Sequence, residues 1–207
     1  MKIGRIVLGV CMTNCYFLYE EGKNEVIFVD PADGGEGIYD KLKEAGFTVA
    51  GILLTHAHYD HIGSAEKLRE LSGAKIYASE AERELCENPE LNLSGMFGRK
   101  ITIQPDVYLK DGDEVTIAGM TCRMSETPGH TGGSCCYYFE KDKILISGDT
   151  LFLESTGRTD FPTGSTSAIV RSIKEKLLVL PDDVRVYPGH NDATTIEHEK
   201  KYNPFVQ

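Results

Sequence analysis

Three of the chain's six histidines fall within six residues, in the segment Leu54-Thr55-His56-Ala57-His58-Tyr59-Asp60-His61-Ile62-Gly63. An apolar run over residues 49–54 reads as a buried strand leading into it. A helix over 62–71 leads out, with Ile62, Ala65, Leu68 and Leu71 on one face and Gly73 as its stop. In extended backbone, residues i and i+2 point to the same side, so His56 and His58 can grip one ion. Asp60 shares that parity, but the chain must turn there to start the helix. Asp60 and His61 are therefore free to face a second, adjacent position. A lone histidine here would read as a solvated turn residue. Three histidines and an aspartate between a buried strand and a helix read as nitrogen and oxygen ligands for metal.

Three further segments repeat the same order of apolar strand, tight Gly or Pro turn, and ligand-type residue. They are Ser125-Glu126-Thr127-Pro128-Gly129-His130, Ile144-Leu145-Ile146-Ser147-Gly148-Asp149-Thr150 and Val186-Tyr187-Pro188-Gly189-His190. Together the four segments put five of the six histidines, with Asp60 and Asp149, at strand ends. The sixth, His198, sits in a charged tail and reads as a solvated side chain. Elsewhere, strands are expected over 3–10, 15–19 and 25–29, the last two joined by a turn at 21–24, and over 75–78, 114–117, 120–125, 134–139, 143–147 and 184–187. Helices are expected over 36–45, 80–86 and 165–180, with Ser165 or Thr166 as the cap of the last. Residues 87–105 read as an irregular excursion, and a short polar tail follows the last strand. Two batches of strands, each accompanied by helices, predict two sheets with helices outside them, an α/β (α+β) domain.

Composition narrows the function classes. The 207 residues carry 22 Lys plus Arg against 32 Asp plus Glu, a net charge of −10. Nucleic acid or an anionic membrane surface would need concentrated basic residues, so neither is an expected partner. No apolar run is long enough to span a bilayer, and the first residues lack the apolar core of a secretory signal. The six cysteines form no zinc-type pair of pairs, which predicts reduced thiols and a cytoplasmic protein. A single domain over 1–207 is expected, and the oligomeric state is not legible.

The set THAHYDH, TPGHTGGS, SGDT and PGH resembles the metallo-β-lactamase superfamily, whose signature begins HxHxDH. The resemblance covers nearly the whole chain and is greatest to the short glyoxalase II-like (hydroxyacylglutathione hydrolase-like) branch, which carries a GRTDFP segment where this chain has residues 157–162. It implies a four-layer αββα sandwich with metals at one edge. It assigns His56, His58 and His130 to a first ion and Asp60, His61 and His190 to a second, with Asp149 bridging the two. The implied cofactors are two divalent ions per chain, zinc first, with iron or manganese compatible with the same ligands. Diiron flavoprotein relatives carry Glu where this chain has His58, which tips the resemblance toward hydrolysis.

Two divalent ions, Asp60, Asp149 and one hydroxide leave a net charge of about +1 with neutral imidazoles. Such a charge would lower the pKa of bound water toward about 7 and stabilise the oxyanion of an attacked carbonyl. A thiolate leaves readily, the thiol pKa being about 8.5, so the expected substrate is a small thioester such as S-2-hydroxyacylglutathione. Asp30, ending the third strand, is a candidate for orienting a ligand histidine from behind. Arg158 is a candidate for a substrate carboxylate, and Tyr59 and Phe161 for the pocket walls. The chain departs from full-length glyoxalase II in three places. Only 17 residues follow His190, so the helical C-terminal domain is expected to be missing. GRTDFPTGS replaces a glutathione-contacting segment, and Asn191-Asp192 follow His190 in place of the more usual Gly. The other readings are a mononuclear iron persulfide dioxygenase using His56, His130 and Asp149, a lactone or ester hydrolase, and a non-catalytic metal-binding domain.

Overall fold

The structure is a computed structural model and describes all 207 residues. The first sheet contains β1 (Lys2–Leu8), β2 (Thr13–Tyr19), β3 (Glu25–Val29), β4 (Thr48–Leu53), β5 (Lys75–Ser79) and β6 (Val107–Leu109), side by side in that order. β1, β2 and β3 run antiparallel, and β3 through β6 run parallel. The parallel half needs crossovers, supplied by α1 (Gly35–Glu44) and by α2 (Tyr59–Ile62) with α3 (Ala65–Ser72). A 3-10 turn at Glu80–Glu82 and α4 (Arg83–Glu87) lead into the irregular stretch before β6.

The second sheet begins with the meander β7 (Glu114–Ile117), β8 (Met120–Glu126), β9 (Cys135–Phe139) and β10 (Ile144–Gly148). A two-strand hairpin, β11 (Leu151–Phe152) and β12 (Ser155–Thr156), and the helix α5 (Thr166–Ser172) follow. Then β13 (Arg185–Pro188) joins β10 in parallel, and β14 (Thr194–Thr195) forms the edge before α6 (Ile196–Tyr202). Strand alternation decides the layers. Tyr16, Leu18, Ile27 and Val29 face Met124, Tyr137, Phe139 and Ile146 between the sheets. The alternate residues Phe28, Ile52 and Ile76 pack outward on Ile38, Leu42 and Leu68 of α1 and α3. Tyr138, Leu145 and Val186 pack outward on Ile169 of α5 and Ile196 of α6. These are the four layers of an αββα sandwich.

Several expected bounds shift for identifiable reasons. The helix read over 62–71 is two helices, the first already begun at Tyr59. Gly63 interrupts them, because a Cβ there would collide with the Ala32 carbonyl, and Ser64 donates its N–H to Pro31 O at 2.8 Å. The helix read over 165–180 is capped by Ser165, whose Oγ accepts from Ala168 N, and widens into a π turn at Ile173–Leu177. The polar tail is instead β14 and α6. There Glu199, buried on a helix of polar composition, accepts from Thr194 Oγ1 at 2.6 Å and Asn203 Nδ2 at 2.8 Å. His198 is half-exposed as expected and bonds Glu154 at 2.8 Å. No disulfide forms: five cysteines are buried and Cys11 is exposed.

Candidate metal centre

The four ligand-bearing segments lie at the C-terminal ends of β4, β8, β10 and β13, one strand from the first sheet and three from the second. They therefore meet where the two sheets share an edge. His58 precedes α2 in extended conformation, and Asp60 and His61 occupy the first turn of that helix. This turn separates the side chains into two groups. His56, His58 and His130 bring one ligand atom each within 4.8 Å of one another, and so do Asp60, His61 and His190. Asp149 stands between the groups: Oδ2 lies 3.5 Å from His130 Nε2 and 3.4 Å from His190 Nε2, and Oδ1 lies 3.5 Å from His61 Nε2.

The hydrogen bonds behind the imidazoles decide which nitrogens face inward. His61 Nδ1 donates to Asp30 Oδ2 at 3.0 Å, and His130 Nδ1 donates to the Arg158 carbonyl at 2.7 Å. Thr55 Oγ1 donates to Asp30 at 2.7 Å and so accepts from His56 Nδ1 at 3.1 Å. Each of these three rings therefore turns its Nε2 toward the centre. Asp30 backs one histidine of each group, directly and through Thr55. The converging nitrogens are close, His58 Nδ1 to His130 Nε2 at 2.9 Å and His61 Nε2 to His190 Nε2 at 3.3 Å. Two nitrogens bound to one tetrahedral zinc lie about 3.3 Å apart, given bonds of about 2.0–2.1 Å. His56 Nε2 and Asp149 Oδ1 are buried without a hydrogen-bond partner. Buried orphans of this kind are rare and ask for a ligand. The donor set fits divalent metal.

Electrostatics separates the two groups. Burial pushes the His56 imidazole well below its ordinary value, with neighbouring His61 and His130 adding to the effect, and burial beside His130 brings His58 down to about 3. Burial also opposes a charge on His61, but Asp149, Asp60 and Asp30 outweigh it and raise His61 to about 10. Burial raises Asp60, yet His61 and His190 hold it well below the usual carboxylate range. Metal-free protein at pH 7 thus carries neutral His56 and His58 and a protonated His61. Occupying the second position requires His61 to release that proton. Metal uptake at pH 7 is expected to release about one proton per chain from His61, and affinity there should rise about tenfold per pH unit up to about pH 10. Calorimetry in buffers of different ionisation enthalpy reads this directly, and uptake without proton release would contradict it.

Further residues hold the loops. Glu82, fully buried and pushed up to about 7 by that burial, accepts from Ala57 N and from Thr131 Oγ1, both at 2.9 Å, and so ties the His56–His58 turn to the His130 loop. Asn14 Nδ2 donates to the Pro188 and Asn191 carbonyls at 2.9 Å, fixing the loop that carries His190. Thr13 Oγ1 donates to Asp60 Oδ2 at 3.2 Å. None of these was singled out from sequence, since each acts through a contact distant along the chain. At Gly189 an added Cβ would fall inside Asp149 Oδ1 and His61 Cε1. Gly189→Ala should therefore lose metal while retaining the fold, checked by metal content against circular dichroism; two bound ions in that variant would contradict the packing.

A cleft of about 550 Å³ opens over the cluster. Phe161, edge-on to His58 at 5.7 Å, and Tyr59, tilted by 38° against Phe97 at 4.6 Å, form two of its walls. Arg158 reaches the cleft, but its guanidinium lies 4.0 Å over Phe161 and bonds both Asp160 oxygens at 2.7 Å. Its charge is already matched. Cys11 Sγ sits 3.0 Å from the Tyr59 hydroxyl at the cleft rim. No helix is long and apolar enough to cross a membrane.

Comparison with known proteins places this arrangement. The family model described as "Metallo-beta-lactamase superfamily" matches residues 8–190. The chain is similar to the probable metallo-hydrolase YqgX of Bacillus subtilis, 38% identical over 208 residues, covering 100% of this chain and 98% of the relative. It is also similar to the hydroxyacylglutathione hydrolase GloC of Haemophilus influenzae, 33% identical over 209 residues, covering 100% and 98%. Among solved structures, BLEG-1 B3 metallo-beta-lactamase superposes with a TM-score of 0.93 at 39% identity, covering 99% of both chains. TTHA1623 in a di-iron-bound form superposes with a TM-score of 0.85 at 32% identity, covering 98% of this chain and 99% of the other.

Proposed function

The chain belongs to the metallo-beta-lactamase superfamily and is a metallo-hydrolase, and from that premise we propose that it hydrolyses small thioesters at a two-ion centre, with S-2-hydroxyacylglutathione as the first candidate substrate. The observation that carries the proposal is the pair of three-residue groups meeting at Asp149, with imidazole lone pairs turned inward by Asp30, Thr55 and the Arg158 carbonyl. In this reading His56, His58 and His130 would hold one ion and Asp60, His61 and His190 the other, with Asp149 within reach of both groups. Ions held there supply a water nucleophile at neutral pH and a Lewis acid for the carbonyl, zinc being the first choice for nitrogen-rich ligands.

The protein's own groups do the rest. Asp60 and Asp149 contribute two negative charges, so the centre keeps an excess of positive charge for a developing oxyanion. Phe161 and Tyr59 flank the histidines and limit water around a bound acyl group. The leaving thiolate needs no proton from the enzyme at neutral pH, its conjugate thiol having a pKa of about 8.5. Similarity to GloC supports glutathione as carrier, and the di-iron form of TTHA1623 supports a two-ion count. A one-iron dioxygenase would leave Asp60, His61 and His190 converging on nothing. The test is kcat/KM on metal-loaded protein for S-D-lactoylglutathione beside a lactone and a β-lactam. A value above about 10⁴ M⁻¹s⁻¹ for the thioester alone is expected, and a preference for either ring substrate would replace the thioester reading.

A further inference from the structure

The converging ligands account for the floor of the cleft but not for the hollow beside it. Gly9, Val10, Asp33, Tyr59, Phe97 and Arg99 line a pocket of about 250 Å³ that also reaches Asp60. Tyr59, Asp60 and Phe97 line the metal cleft as well, so the two spaces adjoin. Two guanidinium groups border the combined surface, and their states differ. Arg158 is engaged twice by Asp160, as described. Arg99 pairs with no carboxylate: its backbone N–H is anchored on Ser94 O at 3.0 Å, and its charge lies near the Tyr59 phenol. It comes from the irregular excursion after α4.

A free guanidinium beside a reaction centre, on a chain of net charge −10, is a selective anchor for a carboxylate, which it can hold through two parallel hydrogen bonds. Asp33 borders the same pocket, with Oδ1 accepting Gly34 N at 2.8 Å and Oδ2 unengaged. No ion pair joins Asp33 to Arg99. A simple anion would meet repulsion from Asp33 and Asp60, whereas a group carrying both charges finds a partner for each.

We propose that this pocket receives the α-ammonium-carboxylate end of the substrate's thiol carrier, Arg99 taking the carboxylate and Asp33 the ammonium. The proposal rests on the thioester reading of the adjoining cleft, but its test does not need turnover. Calorimetric titration of metal-loaded protein with S-hexylglutathione, and with the same conjugate acetylated on its α-amine, reads both contacts. Arg99→Ala should weaken the free-amine conjugate about tenfold, the scale of one lost charge-assisted pair, with Arg99→Lys intermediate. Acetylation should weaken binding several-fold in the unsubstituted protein and less than about twofold in Asp33→Asn. Melting temperature and metal content of each variant establish that the fold is retained.

Failure of the unsubstituted protein to bind the conjugate would overturn the proposal. So would an Arg99→Ala affinity unchanged within twofold, or an equal acetylation effect with and without the Asp33 carboxylate. If the conjugate binds in the expected pattern while no thioester is hydrolysed, the pocket stands and the thioesterase reading falls. If thioesters are hydrolysed but Arg99→Ala binds normally, the pocket alone falls.

Discussion

Asp149→Asn is expected to lower kcat/KM for a thioester on the order of 10³-fold, the scale on which loss of one electrostatic partner at a reacting centre is felt. The carboxylate lies within 3.5 Å of His61, His130 and His190 nitrogens, so it serves both ligand groups at once. An amide keeps the shape and removes the negative charge that offsets the ions. The variant should fold, because Asp149 makes no side-chain hydrogen bond that holds the scaffold and its Oδ1 is an orphan. Fewer than two ions per chain should be recovered from it. Two retained ions with activity within tenfold of the parent would show that Asp149 is not shared between them.

The second large effect is expected at Asp30, which stands behind the converging ligand groups and belongs to none of them. Its Oδ1 accepts from Thr55 N at 2.8 Å, and its Oδ2 accepts from both Thr55 Oγ1 and His61 Nδ1. Asn at this position can present N–H where an acceptor is required. His61 would then shift its proton to Nε2, closing the lone pair that faces His190, and Thr55 would lose its hold on His56. Metal affinity should fall about 10–100-fold, as for other carboxylates that orient ligand histidines. Asp30 sits at φ +49°, a left-handed conformation that Asn tolerates well, so the backbone should survive the change. Competition with a chelator of known affinity measures the loss; unchanged affinity would mean that the rings are oriented by packing alone.

Both predictions depend on residues whose visibility in the sequence differed. Asp149 and the six other expected ligands were legible because each closes a short segment with its own local geometry: strand, tight turn, ligand. The structure brings all seven to one edge. Asp30 is legible as a strand-ending acid that could orient a ligand histidine, but not which one, since its bond to His61 spans 31 positions that no local pattern encodes. Glu82 carried less signal, being one of several acids in a short helical turn, although it is buried and tied to two ligand loops. Arg158 reads from the sequence as a candidate for a substrate carboxylate, whereas in the structure its neighbour two positions on, Asp160, already engages the guanidinium.

The same division holds for the fold. Long strands with clear alternation, and the helix at α1, fall close to their expected places. The break at Gly63 was not legible, since it follows from contact with Pro31 and Ala32 on another segment. β6 has three residues and draws its pairing from β5, and α6 buries Glu199 through bonds to Thr194 and Asn203. Short or polar elements of this kind take their stability from tertiary partners more than from propensity.

The central claim is that two ions act together between these ligand groups. The direct test is hydrolysis of S-D-lactoylglutathione by metal-free protein titrated with zinc, iron or manganese, with bound metal counted at each step. Activity that reaches its plateau only at two equivalents, without oxygen consumption, is the expected result. A plateau at one equivalent, or oxygen uptake at a single iron, would contradict it.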